Sequence, residues 1–504
     1  MSFPAVWLLL LDRRPALWQA GEPAIINGAA LSASVAVAVC ATLLSLAQGT
    51  LLAAFVVLTR LPGRQILAAL WLIPFVAPAT VWALCGMYCY GPGGIVDRCL
   101  GSSWRSVPGA IDGGHYIGTT IVLSQIYTPL AMVLIGRGMA RLGHAGFDAA
   151  RLYFSAPARI TWMLRSLAPE IIAAALLTFA LAIGNFAVPN VLQCRLYPTY
   201  VYLRMSNYLD QAGAARAAAP LVSIALAATT AFVIQERRRR YVDGHVARTS
   251  LARAPRPLTW VFGGFLLIYS SLAILLPIGA LVYECSSFSR FVAAVQEALP
   301  ETFNTLCLAV AATLAACGLG LTCGAYYARP RFLPLTLLTM APAAFPALVI
   351  GLAYARFFHY QDWVDAAWLG DSGILLVLAL AYHALPFGAH IVANGYARMS
   401  PNWREAAQLS GMNRWQQTRW IVGPLMAPHL AAAAVIASAL SMADVEISQL
   451  LCAPGSGTLA LRLLTFLHFG PPYVTASLAL LQLVLAVVPA FIYFLLTNRR
   501  LEPL

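Results

Sequence analysis

Long apolar runs separated by short polar segments dominate the sequence. Most of these runs approach the roughly 20 residues that a helix needs to cross a membrane. We predict eleven spans, at about residues 29–57, 66–90, 117–135, 168–192, 218–235, 260–283, 305–327, 333–358, 373–392, 425–451 and 473–497. The pattern therefore predicts an all-α polytopic membrane protein with about 11–12 transmembrane helices, the twelfth being in question at the N-terminus.

The composition supports this fold class. Of the 504 residues, 60% are hydrophobic and 10% are charged, whereas soluble proteins carry about 25% charged residues. All 32 basic residues are Arg. Basic residues gather in the cytoplasmic loops of membrane proteins, so the positive net charge does not indicate that the chain binds nucleic acid. The expected partner of these apolar spans is membrane lipid.

The distribution of Arg fixes the orientation. If the segment with Arg237–Arg240 is cytoplasmic, 22 of the 32 Arg lie on the same side. The opposite side carries acidic residues such as Asp362, Asp365 and Asp371. This bias predicts the topology by the positive-inside rule.

The Arg-rich segment also divides the chain. We predict a first transmembrane domain at 1–235, a cytoplasmic linker at 236–257 and a second transmembrane domain at 258–504. Residues 1–28 hold only a short apolar run. A missing first span, an interfacial helix, or a recorded start that lies inside the gene would each account for it, and the sequence does not separate these alternatives.

The two halves repeat each other. Each contains a pair of prolines spaced by four within a corresponding span, namely Pro74 with Pro78 and Pro342 with Pro346. The segment Asp148-Ala149-Ala150 precedes Glu405-Ala406-Ala407 by 257 residues, and both are predicted to be cytoplasmic. Repeats of this kind place the substrate path of a transporter between its halves.

The second of these segments is a patterned polar loop between two spans. Its patterned positions are Glu405, Ala406, Ala407, Gly411, Ile421 and Pro424. The two alanines predict a helix surface without bulk, and Gly411 suits a turn that reverses the chain. In the first copy Asp148 replaces Glu and Phe154 replaces Gly, so the helix start is retained and the turn is lost.

This sequence motif resembles the cytoplasmic loop of the permease subunits of binding-protein-dependent ABC importers. That pattern is Glu-Ala-Ala, three residues, Gly, nine residues, Ile, one residue and Leu-Pro; only the Leu position departs, being Gly423. The C-terminal stretch from Pro454 to Gly470 resembles fused permeases of the ferric-iron class, whose layout thiamine and polyamine permeases share.

The resemblance implies a type I ABC importer (MetI-like) fold with two fused domains in a bacterial inner membrane. It implies two copies of an ATPase subunit docked on the cytoplasmic loops, and a periplasmic binding protein that delivers a small-molecule or ion substrate. The residues it assigns to coupling with the ATPase are Asp148, Ala149, Ala150, Phe154, Glu405, Ala406, Ala407 and Gly411.

Polar residues inside the apolar runs are candidates for the translocation pathway, because charge within a membrane is costly. Asp444 and Glu446 are such residues, and Asn185 lies in the matching stretch of the first half. They line the pathway, cap a broken helix, or lie at the outer end of that helix in water. Two carboxylates favour a cation, so we expect ferric iron or another small cationic solute such as thiamine or a polyamine.

The sequence offers no support for catalysis. The chain has no Lys and hence no P-loop, so ATP hydrolysis is expected in a separate subunit, and no cofactor or metal site is predicted. One rival interpretation is a proton-coupled secondary transporter that uses Asp444 and Glu446. Another is a membrane enzyme acting on lipid-linked substrates. It would need a cluster of outward catalytic acids or basic phosphate clamps, and the outward loops show no such cluster.

The ten cysteines form no metal-binding pattern. Cys89 and Cys99 would form a disulfide only if their loop faces an oxidising compartment.

Overall fold

The structure, a computed structural model, describes most of the chain. The described residues are 27–59, 64–101, 115–208, 211–242, 256–327, 333–359, 373–397, 399, 401–453 and 455–498. Within these ranges all regular structure is helical, which confirms the predicted class.

The helices up to Glu284 are α1 (Gly28–Leu58), α2 (Arg64–Val76), α3 (Ala79–Tyr90), α4 (Ile95–Leu100), α5 (His115–Tyr153), α6 (Ala156–Ile183), α7 (Ala187–Val191), α8 (Tyr197–Tyr208), α9 (Gln211–Val242), α10 (Arg256–Ser270) and α11 (Leu276–Glu284). Those that follow are α12 (Phe288–Glu297), α13 (Leu299–Tyr327), α14 (Leu333–Met340), α15 (Ala347–His359), α16 (Ile374–Ala397), α17 (Pro401–Leu409), α18 (Arg414–Gln417), α19 (Gly423–Ala443), α20 (Glu446–Leu451), α21 (Leu459–Phe469) and α22 (Pro472–Asn498). Single π-helical turns join α10 to α11 and α18 to α19.

The described residues contain nine helices that are long and apolar enough to cross a membrane, and two bent helix pairs that bring the number to 11 if each pair counts as one span. The nine are Gly28–Leu58, Tyr116–Leu142, Pro157–Ile183, Ala212–Arg237, Trp260–Glu284, Leu299–Gly324, Ile374–Tyr396, Arg414–Ala443 and Pro472–Leu496. All eleven predicted spans therefore have a counterpart.

The two bent pairs lie where the sequence carries its repeated prolines. The first breaks between Val76 and Ala79, and the second between Ala344 and Ala347; each bends by 105°. Pro78 and Pro346 lie in the breaks. Proline lacks the N–H group that a helix interior requires and clashes with the preceding turn. The spans predicted at 66–90 and 333–358 are therefore broken rather than straight.

The described chain divides into two compact units. The first contains residues 27–291 with 472–480, and the second contains residues 292–471 with 481–498. The span Arg256–Glu284 belongs to the first unit, where the indole N–H of Trp71 in α2 donates to the hydroxyl of Ser270 at 2.8 Å. The division into domains at 1–235 and 258–504 remains a prediction about the covalent repeat, whose boundary differs from that of the compact units.

Both units repeat one contact at the start of a helix. In the first, the backbone N–H of Tyr197 at the start of α8 donates to the hydroxyl of Ser34 in α1 at 2.7 Å. In the second, the N–H of Leu459 at the start of α21 donates to the hydroxyl of Thr305 in α13 at 2.8 Å. The first-turn N–H groups of a helix have no partner within it. In each unit the hydroxyl of a neighbouring span accepts from one of them, from α1 in the first unit and from α13 in the second.

Several predicted features fall outside the described residues. They are the N-terminal segment before residue 27, the greater part of the Arg-rich linker, at 243–255, and the acidic loop at 360–372. The linker residues before 243 continue helix α9. Cys89 and Cys99 are both free thiols, the first buried and the second exposed.

Candidate coupling loops and translocation site

The predicted cytoplasmic loop of the second half, which contains Glu405–Gly411, forms a short helix that ends in a tight turn. Helix α17 ends at Leu409, and Gly411 follows with φ +71°. The N–H of Gly411 donates to the carbonyl of Gln408 at 3.0 Å, and the N–H of Met412 donates to the carbonyl of Ala407 at 3.1 Å. This is the hydrogen-bond pattern of a Schellman motif, which needs a left-handed residue where glycine stands.

A second capping motif follows the turn at once. The side chain of Asn413 accepts from the N–H of Gln416 at 2.8 Å, and the Gln416 side chain accepts from the N–H of Asn413 at 2.9 Å. This reciprocal capping box starts the next helix, which runs on as the candidate span Arg414–Ala443. The loop is thus a rigid helix–turn–helix rather than a flexible connection.

The outer face of this loop is accessible. Glu405 and Ala406 are exposed, and Ala407 is buried and anchors α17. Large apolar side chains are also exposed around the turn, namely Trp403, Leu409, Trp415 and Trp420. An acid and a small residue beside exposed aromatic and aliphatic groups make a surface suited to a protein partner.

The first loop has a different construction. Asp148, Ala149 and Ala150 lie within α5, which continues from its span without a break to Tyr153. Asp148 is exposed and faces Arg151 at 4.0 Å. Ala149 is exposed and Ala150 is buried. The corresponding helix of the second unit is separate, because α16 ends at Ala397 and α17 begins at Pro401.

Phe154 occupies the position of the lost glycine and packs on an aromatic neighbour. Its ring stacks on that of Trp162 with centroids 6.4 Å apart, and Phe147 meets the same Trp162 ring edge-on at 6.1 Å. The chain then turns at Ser155, which has an extended conformation. The first loop therefore has no left-handed turn, as its sequence predicts, and relies on aromatic packing instead.

Asp444 lies at the break between α19 and α20 and is buried. Its Oδ1 accepts from the N–H of Ile447 at 2.7 Å, which caps α20. Its Oδ2 lies 3.4 Å from Nδ1 of His383 in α16. One carboxylate thus joins the start of a short helix to a neighbouring span.

Glu446 caps a different helix. Its Oε2 accepts from the backbone N–H of Leu348 at 2.7 Å. Leu348 is the second residue of α15, the outgoing arm of the bent span. A carboxylate at a helix N-terminus satisfies an unpaired N–H and interacts favourably with the helix dipole. Asp444 and Glu446 are therefore brought together, and both act as caps.

Asn185 has the same role in the first unit. Its Oδ1 accepts from the N–H of Val188 at 3.0 Å, and its Nδ2 donates to the hydroxyl of Tyr127 at 3.2 Å. Tyr127 and His383 are 256 residues apart in the sequence, and Asn185 and Asp444 are 259 apart. The repeat thus preserves a polar pair between a span and a helix break, but it is neutral in one unit and ionisable in the other.

The sequence did not predict the side chains that contact Asn185 and Asp444, which are Tyr127 and His383. His383 and Tyr127 lie in predicted spans, and so does the fully buried Glu170, which forms an ion pair with Arg141. A residue-by-residue alignment of the two halves at an offset near 257 would have found Tyr127 and His383. The rule that flagged Asp444 as an ionisable residue in a span also applies to Glu170.

In the described part of the C-terminal stretch, the candidate ligand His468 lies at a helix end. His468 contacts the carbonyl of Leu464 at 2.9 Å, four residues earlier in α21, as a helix-end residue does. Arg462 pairs with Glu301 at 2.6 Å. Among the described residues, no group of three or more His, Cys, Asp or Glu side chains is arranged to hold a metal ion.

Comparison with known proteins identifies the architecture. Residues 316–502 match the family described as binding-protein-dependent transport system inner membrane component. The chain is 28% identical over 199 residues to the sulfate transport system permease protein CysT of Escherichia coli, covering 36% of this chain and 70% of that protein.

Two further relatives extend the comparison. The chain is 23% identical over 404 residues to the probable ABC transporter permease protein y4fN of Sinorhizobium fredii, covering 73% of this chain and 69% of that protein. It is 29% identical over 163 residues to the molybdenum transport system permease protein ModB of Mycobacterium tuberculosis, covering 31% of this chain and 58% of that protein. With its helical architecture and apolar spans, the chain is a multi-pass inner membrane protein, and it is similar to the permease subunits of type I ABC importers, which move small solutes.

Proposed function

We propose that this chain couples ATP hydrolysis by a separate subunit to solute import through two unequal docking segments. The second segment comprises Glu405–Gly411, and the first comprises Asp148–Phe154. The observation that carries the proposal is the Schellman turn at Gly411, which presents an exposed helix directly at the start of a span. Movement of a docked partner would therefore be passed to the span Arg414–Ala443.

The partners follow from this mechanism. Two copies of an ABC ATPase subunit would each dock on one segment, and a periplasmic binding protein would deliver the solute on the other side. Closure of the ATPase pair would move the docking segments as rigid bodies and switch the access of the pathway. Asn185, Asp444 and Glu446 would line that pathway at the breaks after α6 and α19.

The solute is a small hydrophilic ion, and two classes compete. The two carboxylates favour a cation such as ferric iron, thiamine or a polyamine. Both carboxylates, however, accept hydrogen bonds from backbone N–H groups, which reduces the number of oxygens open to a cation. The relatives named for sulfate and molybdenum transport favour an oxyanion.

Uptake into vesicles tests the function and the solute class together. The permease would be reconstituted with a candidate ATPase subunit and a candidate binding protein from the same genome. Labelled ferric iron, thiamine, putrescine, sulfate and molybdate would then be offered with and without ATP. The proposal expects uptake of one solute class that requires ATP and persists with a protonophore. Uptake driven by a proton gradient without ATP would instead support the proton-coupled transporter that uses Asp444 and Glu446.

A further inference from the structure

The first unit contains a buried ion pair that the proposed mechanism does not use. Glu170 in α6 is completely buried, and its carboxylate pairs with the guanidinium of Arg141 in α5. Arg141 lies at the end of the candidate span Tyr116–Leu142, and Glu170 lies within the candidate span Pro157–Ile183. Because burying a charge is costly even when it is paired, a pair at this place points to a specific role.

The two helices meet at this pair with very little space between them. A Cβ atom at Gly138 in α5 would lie 2.6 Å from Cγ of Glu170 and 2.9 Å from Cδ2 of Leu167. At these distances a Cβ at position 138 would force the Glu170 and Leu167 side chains to shift. Gly138 lies one helical turn before Arg141, so the close approach and the ion pair form one contact.

The pair lies at matching distances from the tip of the hairpin formed by α5 and α6. Arg141 is thirteen residues before Phe154, and Glu170 is fifteen residues after Ser155. At 1.5 Å per residue, each arm is about 20 Å long between the pair and the tip. Asp148, Ala149 and Ala150 lie on the α5 arm without an intervening break.

The second unit keeps the close packing, with a histidine in place of the glutamate. Gly395 in α16 is covered by Met426 and His429 of α19, in the same way as Gly138 is covered by Leu167 and Glu170. His429 therefore stands at the repeat position of Glu170. In that unit the docking segment is a separate helix held by its own Schellman turn and capping box.

We infer that Arg141 and Glu170 are positioning residues for the first docking segment. The pair fixes the register of α5 against α6, so that force applied at the exposed tip moves both helices together. A charge-assisted bond is directional and strong in a low-dielectric setting, whereas apolar helix surfaces can slide by small shears. The inference rests on the proposed function, because it assumes that an ATPase docks at this tip.

The test measures solute uptake per ATP hydrolysed in vesicles that hold the permease, the ATPase subunit and the binding protein. Three variants of the pair are compared with wild type: Glu170→Gln, Arg141→Met with Glu170→Met, and the reversed pair Arg141→Glu with Glu170→Arg. The control is Arg98→Met, which breaks the more exposed ion pair of Arg98 with Glu284 in the same unit. Co-purification of the ATPase subunit reports assembly.

We expect Glu170→Gln and the double Met variant to assemble and to lose uptake per ATP by roughly tenfold. The reversed pair should regain part of that loss, and Arg98→Met should match wild type. Wild-type uptake per ATP in the double Met variant would overturn the inference, because packing alone would then suffice. Failure of both Glu170→Gln and the double Met variant to assemble would also overturn it, since the pair would then serve folding. If wild type itself hydrolyses no ATP during uptake, the proposed function fails instead.

Discussion

Asn185 and Asp444 hold equivalent positions in the two units. Each accepts a hydrogen bond from the backbone N–H three residues ahead, at 3.0 Å and 2.7 Å respectively, and so caps the short helix that follows a break. They differ in their second partner, which is the hydroxyl of Tyr127 for Asn185 and the imidazole of His383 for Asp444. The two units therefore share the capping geometry, but the capping side chain is an amide in the first unit and a carboxylic acid in the second.

This relationship predicts that the cap and the charge of Asp444 can be separated by mutation. Asp444→Asn keeps an acceptor for the N–H of Ile447, as Asn185 does for Val188, so stability should be nearly unchanged. Asp444→Ala removes the cap and should cost about 1 kcal/mol. Thermal unfolding in detergent measures both effects. If the carboxylate lines the pathway, Asp444→Asn should still reduce uptake; full uptake would restrict Asp444 to capping.

Glu446 is predicted to stabilise the bend of the second broken span. Glu446→Gln retains an acceptor for the N–H of Leu348, whereas Glu446→Ala leaves that buried donor unsatisfied at a cost of about 1–3 kcal/mol. The same unfolding measurement should rank wild type and Glu446→Gln above Glu446→Ala. Equal stability of Glu446→Gln and Glu446→Ala would show that the Leu348 contact contributes nothing.

The docking segments are predicted to become inaccessible when the ATPase subunit binds. Leu409 is 89% exposed and Leu152 is 82% exposed, while Phe469 in α21 is 90% exposed and lies on the predicted periplasmic side. Each would be replaced by Cys in a Cys-free background and labelled with a maleimide. Labelling at positions 409 and 152 should fall when the ATPase subunit is present, and labelling at position 469 should not. Unchanged labelling at both docking positions would exclude them from the interface.

The native cysteines differ in their expected reactivity with maleimide, which decides how far a Cys-free background is needed. Cys99 is exposed and would react. Burial raises the pKa of the Cys285 thiol above its ordinary value, so less of it is thiolate at neutral pH and its reaction with maleimide should be slow.

Apolar length predicted where the candidate spans of the described residues lie, because a membrane helix must satisfy all its backbone groups within one continuous segment. It did not predict the 105° bends. A proline pair indicates where a helix can break, whereas the angle depends on tertiary contacts such as that between Glu446 and Leu348. The compact units also differ from the covalent halves, since span Arg256–Glu284 packs with helices far away in sequence, which local patterns do not encode.

At the candidate site, the sequence predicted the local turn at Gly411 but not the side-chain pairs that join different spans. Gly411 was predicted to form a turn because glycine, which has no Cβ, adopts φ > 0 at no steric cost. Phe154 was predicted to lack that turn, and its contact with Trp162 follows from a short hairpin. The pairs His383–Asp444 and Arg141–Glu170 join different spans, so each could be found only once the packing of those spans was known.

The loop around Gly411 is proposed to couple ATP hydrolysis to transport. A Cβ at Gly411 would meet no atom within 4 Å, so Gly411→Val acts only through its left-handed φ, at a cost of roughly 1–2 kcal/mol. Glu405→Lys reverses the charge on the exposed face. A matched control is Glu297→Lys with Gly455→Val, because Gly455 has φ +81° and equally open surroundings in the predicted outward loop.

The most direct measurement is solute uptake together with binding-protein-stimulated ATPase activity in reconstituted vesicles. For Glu405→Lys with Gly411→Val, uptake should fall to near background, and ATPase activity should no longer respond to the loaded binding protein. The variant Phe154→Gly should be milder, because the first segment has no left-handed turn to lose, and the Glu297 and Gly455 control should keep its ATPase docking. Normal uptake in the Glu405 and Gly411 double variant would show that this loop is not the coupling element.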